Sequence, residues 1–320
     1  VVVVEGIDGL DAGMRRRRPG AAGVACSGQL RPAHHVGRLI QRGLSAEGLS
    51  WLTDSSQAVR ALFNTLRSSL VVAVLATVSG AVLSLLIERH RVPGRRLLRI
   101  TIMLPLVVPP HILALAWLSW LGTTRLLSRF IASLFGWERV PWTLYGEAGI
   151  VLLLTVFALP VAYLTISAGL RRLPANLDEA AQIEGAAPHQ VARFITLPLL
   201  RPYLLAAAML AFLAAAGNFG ITALLGIPGR FSTLPTLIYQ RVTSFASGGL
   251  EHAAAVSLLL LLVAVVVLLV QYFLNRDSTE VETQLEQLPL APLGPGGRAL
   301  ALTVWIAALF MAVGPFVALL

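Results

Sequence analysis

Few side chains in this sequence could do chemistry, and their strongest arrangement suits recognition rather than bond-making. Residues 174 to 198 read PANLDEAAQIEGAAPHQVARFITLP. Glu179, Ala180 and Ala181 are followed after three residues by Gly185, and after nine more by Ile195, one spacer, then Leu197 and Pro198. Asn176, with Glu179 three residues on, is a capping-box-like start, and Asp178 and Glu179 place negative charge in the first turn, where the helix dipole favours it. A helix is expected to begin near Leu177. Ala180 and Ala181 leave its surface nearly bare, so a partner backbone can come close, and Gly185 permits a tight turn. Pro188 suits the first turn of a second helix, after which Val191, Phe194, Ile195 and Pro198 lead into apolar sequence. Composition alone is compatible with an ordinary amphipathic loop between membrane helices. The spacing argues for a short helix, a turn and a re-entering helix at a membrane surface.

Other chemistry is scarce. The sequence contains no lysine and no Gly-rich phosphate loop ending in Lys and Ser or Thr, so it holds no Walker-type ATP site of its own. A single cysteine, Cys26, excludes an intrachain disulfide and a cysteine metal site. His34 and His35 lack partners at metal-ligand spacing, and His111 reads as a structural residue near a helix end. No nucleophile is paired with a base. Catalytic and metal residues are therefore not assigned.

The elements that must position the 174–198 stretch are membrane helices. Hydrophobic residues make up 56% of the sequence and charged residues 13%, with mean hydropathy +0.77; this is an integral membrane composition. The net charge of +9 is carried by arginines beside apolar runs, which fits membrane topology and not nucleic-acid binding. Apolar spans are expected at 68–87, 100–121, 148–170, 202–226 and 252–274, each near the roughly twenty residues that a crossing needs. A sixth apolar run occupies 299–320.

Arg89, Arg91, Arg95, Arg96 and Arg99, and Arg171, Arg172 and Arg201 around the 174–198 stretch, place both loops in the cytoplasm. Residues 122–147 and 227–251 then face outside. Residues 1–60, with Arg15 to Arg18, read as an atypical N-terminal extension, disordered or misassigned; 275–298, with Pro292, Gly294, Pro295 and Gly296, read as a linker. The orientation puts 1–60 outside without an export helix, so a truncated or misassembled gene product is expected.

Two stretches inside the membrane carry unusual residues. Pro105, Pro109 and Pro110 lie within the second span and either kink it at its start or break it. Gly217, Asn218 and Gly220 lie in the fourth span; they allow a backbone opening beside a pathway, or a helix-to-helix hydrogen bond from Asn218.

The Glu-Ala-Ala spacing, matched at every specified position from Glu179 to Pro198, resembles the EAA loop of permease subunits of binding-protein-dependent ABC importers. The run AAAGNFGITALLG at 214–226, followed by GIPGRFSTLPTLIY, looks like the corresponding helix of iron(III)-type permeases, although Asn218 stands where an acidic residue often precedes Phe-Gly. The resemblance implies an all-α polytopic bundle of the type I ABC importer permease class, with about five complete transmembrane helices and the start of a sixth. Residues 64–274 would form one transmembrane domain, and 299–320 the first helix of a truncated second half. It further implies that Glu179, Ala180, Ala181, Gly185, Ile195, Leu197 and Pro198 couple to a cytoplasmic ATPase, and that Asn218, Phe219 and Gly220 border the pathway. ATP and Mg would sit on that ATPase, with no cofactor on this chain. An external or periplasmic solute-binding protein, a second transmembrane half and the lipid bilayer would be the other partners. Ferric iron is the expected cargo, with thiamine, polyamine and phosphonate compounds as alternatives. Readings of another class are an ATP-independent transporter or channel, and an intramembrane enzyme.

Overall fold

The computed structural model describes residues 46–173, 181, 183–244, 248–276 and 295–312, and every regular element among them is helical. In chain order these are α1 (Ala46–Asp54), α2 (Ser56–Arg89), α3 (Arg95–Val107), α4 (Pro110–Leu121), α5 (Leu126–Leu134) and α6 (Glu147–Leu170). Then come α7 (Pro188–Val191), a π-helical turn (Ala192–Thr196), α8 (Leu197–Leu199) and α9 (Arg201–Ala216). The last are α10 (Gly220–Gly226), α11 (Leu234–Thr243), α12 (Gly249–Asn275) and α13 (Pro295–Ala312).

Three helices, α2, α6 and α12, are long and apolar enough to cross a membrane, and the total reaches five if α3 with α4, and the Ala192–Leu199 segment with α9, each count as one bent span. The expected number of five is reached only by counting both bent pairs, and the second pair covers 192–216 rather than the expected 202–226. Helix α6 is the centre of the bundle: Ile150, Leu153, Leu154, Ile166 and Leu170 are fully buried among residues of α2, α4, α9 and α10. Helix α12 is the most apolar of the three long helices and the least buried within this chain.

Close approach of α2, α6 and α9 is set by small residues, the usual device where two apolar helices meet in lipid. A Cβ on Gly80 would lie 3.0 Å from that of Ala162, and one on Gly169 would lie 2.4 Å from Cγ of Tyr203. Ser167 donates to Ser84, which donates in turn to the Tyr163 carbonyl, adding polar stitches to the α2–α6 seam.

The proline break is real and sharp. Val107 ends α3, Val108 is extended with ψ 131°, as the bulk of a following proline demands, and Pro110 opens α4, where its missing N–H costs nothing. The two halves are bent by 107°. Of the two readings of these prolines, the broken helix is the one formed.

Several expected boundaries move. The first span begins at Ser56 rather than 68, so α2 runs 34 residues, about 50 Å at helical rise. The limit of the N-terminal extension at residue 60 falls inside this helix, and α1 precedes it; residues 1–45 lie outside the described part. Residues 122–147 and 227–251, expected as connecting loops, contain α5 and α11. The expected span 202–226 is two helices, because α9 stops at Ala216 and α10 starts at Gly220. Helix α13 overlaps the expected sixth run at 299–320 but begins at Pro295, inside the expected linker 275–298, of which residues 277–294 lie outside the described part. Its Trp305 donates to the Pro93 carbonyl, and its Phe310 ring packs on Trp117 and Trp120.

Candidate functional site

Two places in the bundle carry the polar and small residues singled out by the sequence. The first is the return of the 174–198 stretch at the arginine-rich end. Glu179 and Ala180, with the capping start at Asn176, lie outside the described residues. Ala181 and Gly185 do not. The Ala186 N–H donates to the Ala181 carbonyl at 2.9 Å, and Gly185 has φ +86°, which together form a Schellman closure with glycine at its left-handed position. Gly185 therefore has a backbone reason to be glycine. Among the described residues, nothing lies within 4 Å of a Cβ placed there. Two residues before Gly185, Ile183 is 84% exposed, an apolar knuckle at the surface; further along, Phe194 is 69% exposed, with the Arg193 guanidinium 5.7 Å from its ring centroid.

From Pro188 the chain turns back as expected. Gln190 reaches back to accept from the Ala187 N–H at 2.9 Å, the side-chain half of a capping box. The helix then widens into the π turn Ala192–Thr196, closed by the Leu197 N–H on the Ala192 carbonyl. Pro198 accounts for it, since proline cannot donate to the Phe194 carbonyl and its ring would press on it in a regular α-helix. Ile195 and Pro198 are half-buried and Leu197 exposed. Their positions show a bent joint of 59° leading into α9.

Next to this return lies a cluster that sequence reasoning missed. The carboxylate of Glu88, only 7% exposed, accepts from Arg99 of α3 at 2.8 Å, from the Tyr163 hydroxyl of α6 at 2.9 Å, and from Arg171 just past α6 at 3.3 and 3.4 Å. Its neighbour Arg89 donates to Thr196 in the π turn at 3.4 Å. One acid among many arginines at the end of an apolar helix was the available signal. The charge sits at the helix terminus and is neutralised there, so it is not a mid-membrane coupling group.

The second place is where the two breaks meet. Residues Gly217 to Phe219 are not in a helix; they form the gap between α9 and α10. Asn218, buried, does not reach to another helix: its Oδ1 accepts from the Ile221 N–H at 3.0 Å and its carbonyl accepts from the Thr222 hydroxyl at 2.6 Å. It caps the start of α10. Gly220 then abuts the other break, since a Cβ on it would lie 2.9 Å from the His111 nitrogen and 3.2 Å from the Pro110 Cβ. Phe219 is exposed and packs on Tyr239 of α11, with ring centroids 5.1 Å apart. Asn218, Phe219 and Gly220 are thus brought to a junction with Pro110 and His111. Among the described residues no group of three His, Cys, Asp or Glu could hold a metal ion.

Several known proteins are similar to this chain. The family described as binding-protein-dependent transport system inner membrane component matches residues 80–279. A protein named for 2-aminoethylphosphonate transport, PhnU of Salmonella typhi, is 30% identical over 200 residues, covering 62% of this chain and 68% of that protein. One named for ferric transport, FbpB 1 of Haemophilus influenzae, is 28% identical over 207 residues, covering 65% of this chain and 32% of that one. A chain of a bacterial ABC transporter involved in the import of the acidic polysaccharide alginate superposes with a TM-score of 0.67 at 20% identity, covering 79% of this chain and 91% of its own, and shows the same fold. Because the family match spans Glu88, the return at 181–198 and both helix breaks, the chain belongs to the inner membrane components of binding-protein-dependent transport systems.

Proposed function

We propose that the bundle passes a small solute, handed over by an external binding protein, and that the 174–198 stretch is the docking point of a cytoplasmic ATPase that drives the passage. Gly185 carries the reading. A left-handed turn held by a backbone closure, with no described residue within 4 Å of a Cβ placed on it and Ile183 exposed two residues before, suits a surface for another protein. ATP and Mg would be held by that ATPase. Closure of two ATPases would push the knuckle and switch the bundle between inward-open and outward-open packings. A second transmembrane half, fused or separate, would complete the pathway.

Ferric iron is the proposed cargo, supported by the run from Asn218 to Tyr239 and by the likeness to FbpB 1. Asn218 is spent on capping α10, so the iron would be selected by the binding protein rather than ligated here. The second reading is 2-aminoethylphosphonate, favoured by the match across 68% of PhnU. Reconstitution with the ATPase and binding protein, followed by uptake of radiolabelled ferric iron or 2-aminoethylphosphonate, separates the two.

The docking assignment is tested by Gly185→Asp against Gly185→Asn. Both residues tolerate the left-handed turn better than other L-residues, so both should insert and fold. The added negative charge of Asp on the knuckle should abolish ATP-driven uptake while Asn retains part of it. Normal uptake by Gly185→Asp would overturn the assignment.

A further inference from the structure

Glu88 and Arg89 are adjacent at the end of α2, yet they hold the two ends of the 174–198 stretch. Glu88 binds Arg171, three residues before the stretch begins, and Arg89 binds Thr196 in the π turn by which it leaves. The same Glu88 carboxylate binds Arg99 of α3. From Arg99 it is eight residues, about 12 Å of helix, to Val107 and the break with α4.

Helix α3 is suited to follow such a pull. It is short, its buried side is limited to Leu98, Thr101, Ile102 and Pro105, and Val107 at its tip is 80% exposed. Beyond the 107° bend, Pro110 and His111 abut Gly220, the first residue of α10, beside Asn218 and Phe219. A continuous series of contacts therefore runs from the docking stretch through one carboxylate to the junction of the two broken helices. Ion pairs fit this role because they can exchange partners without a core being rebuilt, whereas packed apolar contacts resist such exchange.

We propose that Glu88, with Arg89 beside it, is a positioning clamp that transmits movement of the 174–198 stretch through α3 to the mid-bundle break at 107–110. The proposal rests on the docking role of that stretch. Neutralising Glu88 should leave the ATPase bound and the knuckle moving, while the break stops following it.

The test uses the importer complex co-expressed with its ATPase, in a Cys26→Ser background, with spin-label pairs on exposed sites. One pair joins Ile183→Cys to Leu152→Cys on α6 and reports the knuckle; the other joins Val107→Cys to Leu152→Cys and reports the break. Distances are read without nucleotide and with ATP plus orthovanadate. In the otherwise unaltered complex both distances should shift. In Glu88→Gln, which keeps the side-chain shape and removes the charge, the knuckle shift should persist and the break shift should be lost. Arg171→Gln, at an exposed partner, should at least halve the break shift, and it decides the matter if Glu88→Gln fails to assemble. A full break shift in either assembled variant overturns the clamp, as does a break that never moves in the unaltered complex. A knuckle that stays still there, or an ATPase that does not co-purify, overturns the docking role itself and the clamp with it.

Discussion

The two ends of the bundle are closed by different means. At the arginine-rich end, helices α2, α3 and α6 meet through side chains on a single carboxylate, and no described residue lies within 4 Å of a Cβ placed on Gly185. At the opposite end, backbone is one partner in each of four joins, met by other backbone or by a short neutral side chain. The Gly146 N–H donates to the Leu225 carbonyl at 2.9 Å, and a Cβ on Gly229 would lie 2.2 Å from the Gly146 nitrogen. The Leu234 N–H donates to Thr65 at 2.9 Å, and Asn64 donates to the Ser232 carbonyl at 2.9 Å. Backbone contacts have few alternative arrangements; charged side chains have several. The difference makes one end a fixed frame and leaves the other able to rearrange.

Substitutions can break that contrast. Gly229→Val should have the largest effect, about 3 kcal/mol of destabilisation, because the branched side chain cannot be placed without separating the two loops. It should appear as a lowered melting temperature in detergent, and an unchanged melting curve would mean that the opposite end is not the rigid frame described. Glu88→Ala should cost less, about 2 kcal/mol, since Arg171 is largely exposed and can turn to water while Arg99 cannot do so as freely. Digestion at arginines near the end of α2 should then quicken. If Glu88→Ala is as damaging as Gly229→Val, the arginine-rich end is no looser than the other.

Smaller effects sharpen the comparison. Asn218→Ala removes the cap of α10 and should cost about 1 kcal/mol, with faster amide exchange at Ile221; exchange equal to that of the parent chain would deny Asn218 its capping role. Arg67 pairs with Glu147 near the opposite end, but both are substantially exposed. Arg67→Met should therefore change stability by about 0.5 kcal/mol or less. A clearly larger loss would show that this end also depends on side-chain charge.

Much of this is readable along the chain because the physics is local. Pro109 and Pro110 end one helix and begin another wherever they occur, so a break near them follows from residue type. Its 107° angle does not. Gly185 could be expected as a turn for the same local reason, and its left-handed conformation is what a glycine before a second helix start permits. The run from Gly217 to Gly220 was harder: in an apolar stretch of twenty-five residues it reads as part of one span, and only packing of Gly220 against Pro110 and His111 shows where the helix gives way.

The sequence by itself determined that this chain is a membrane helix bundle, roughly where its spans lie, and which stretch between them carries the Glu-Ala-Ala spacing. Hydropathy, proline and glycine act over a few residues, so they need no neighbours to be understood. Tertiary structure alone decided that Glu88 is buried and shared, because its partners lie 11, 75 and 83 residues away. It also decided that the two helix breaks touch, since that contact depends on how α4 and α10 pack side by side and not on any property of either segment alone.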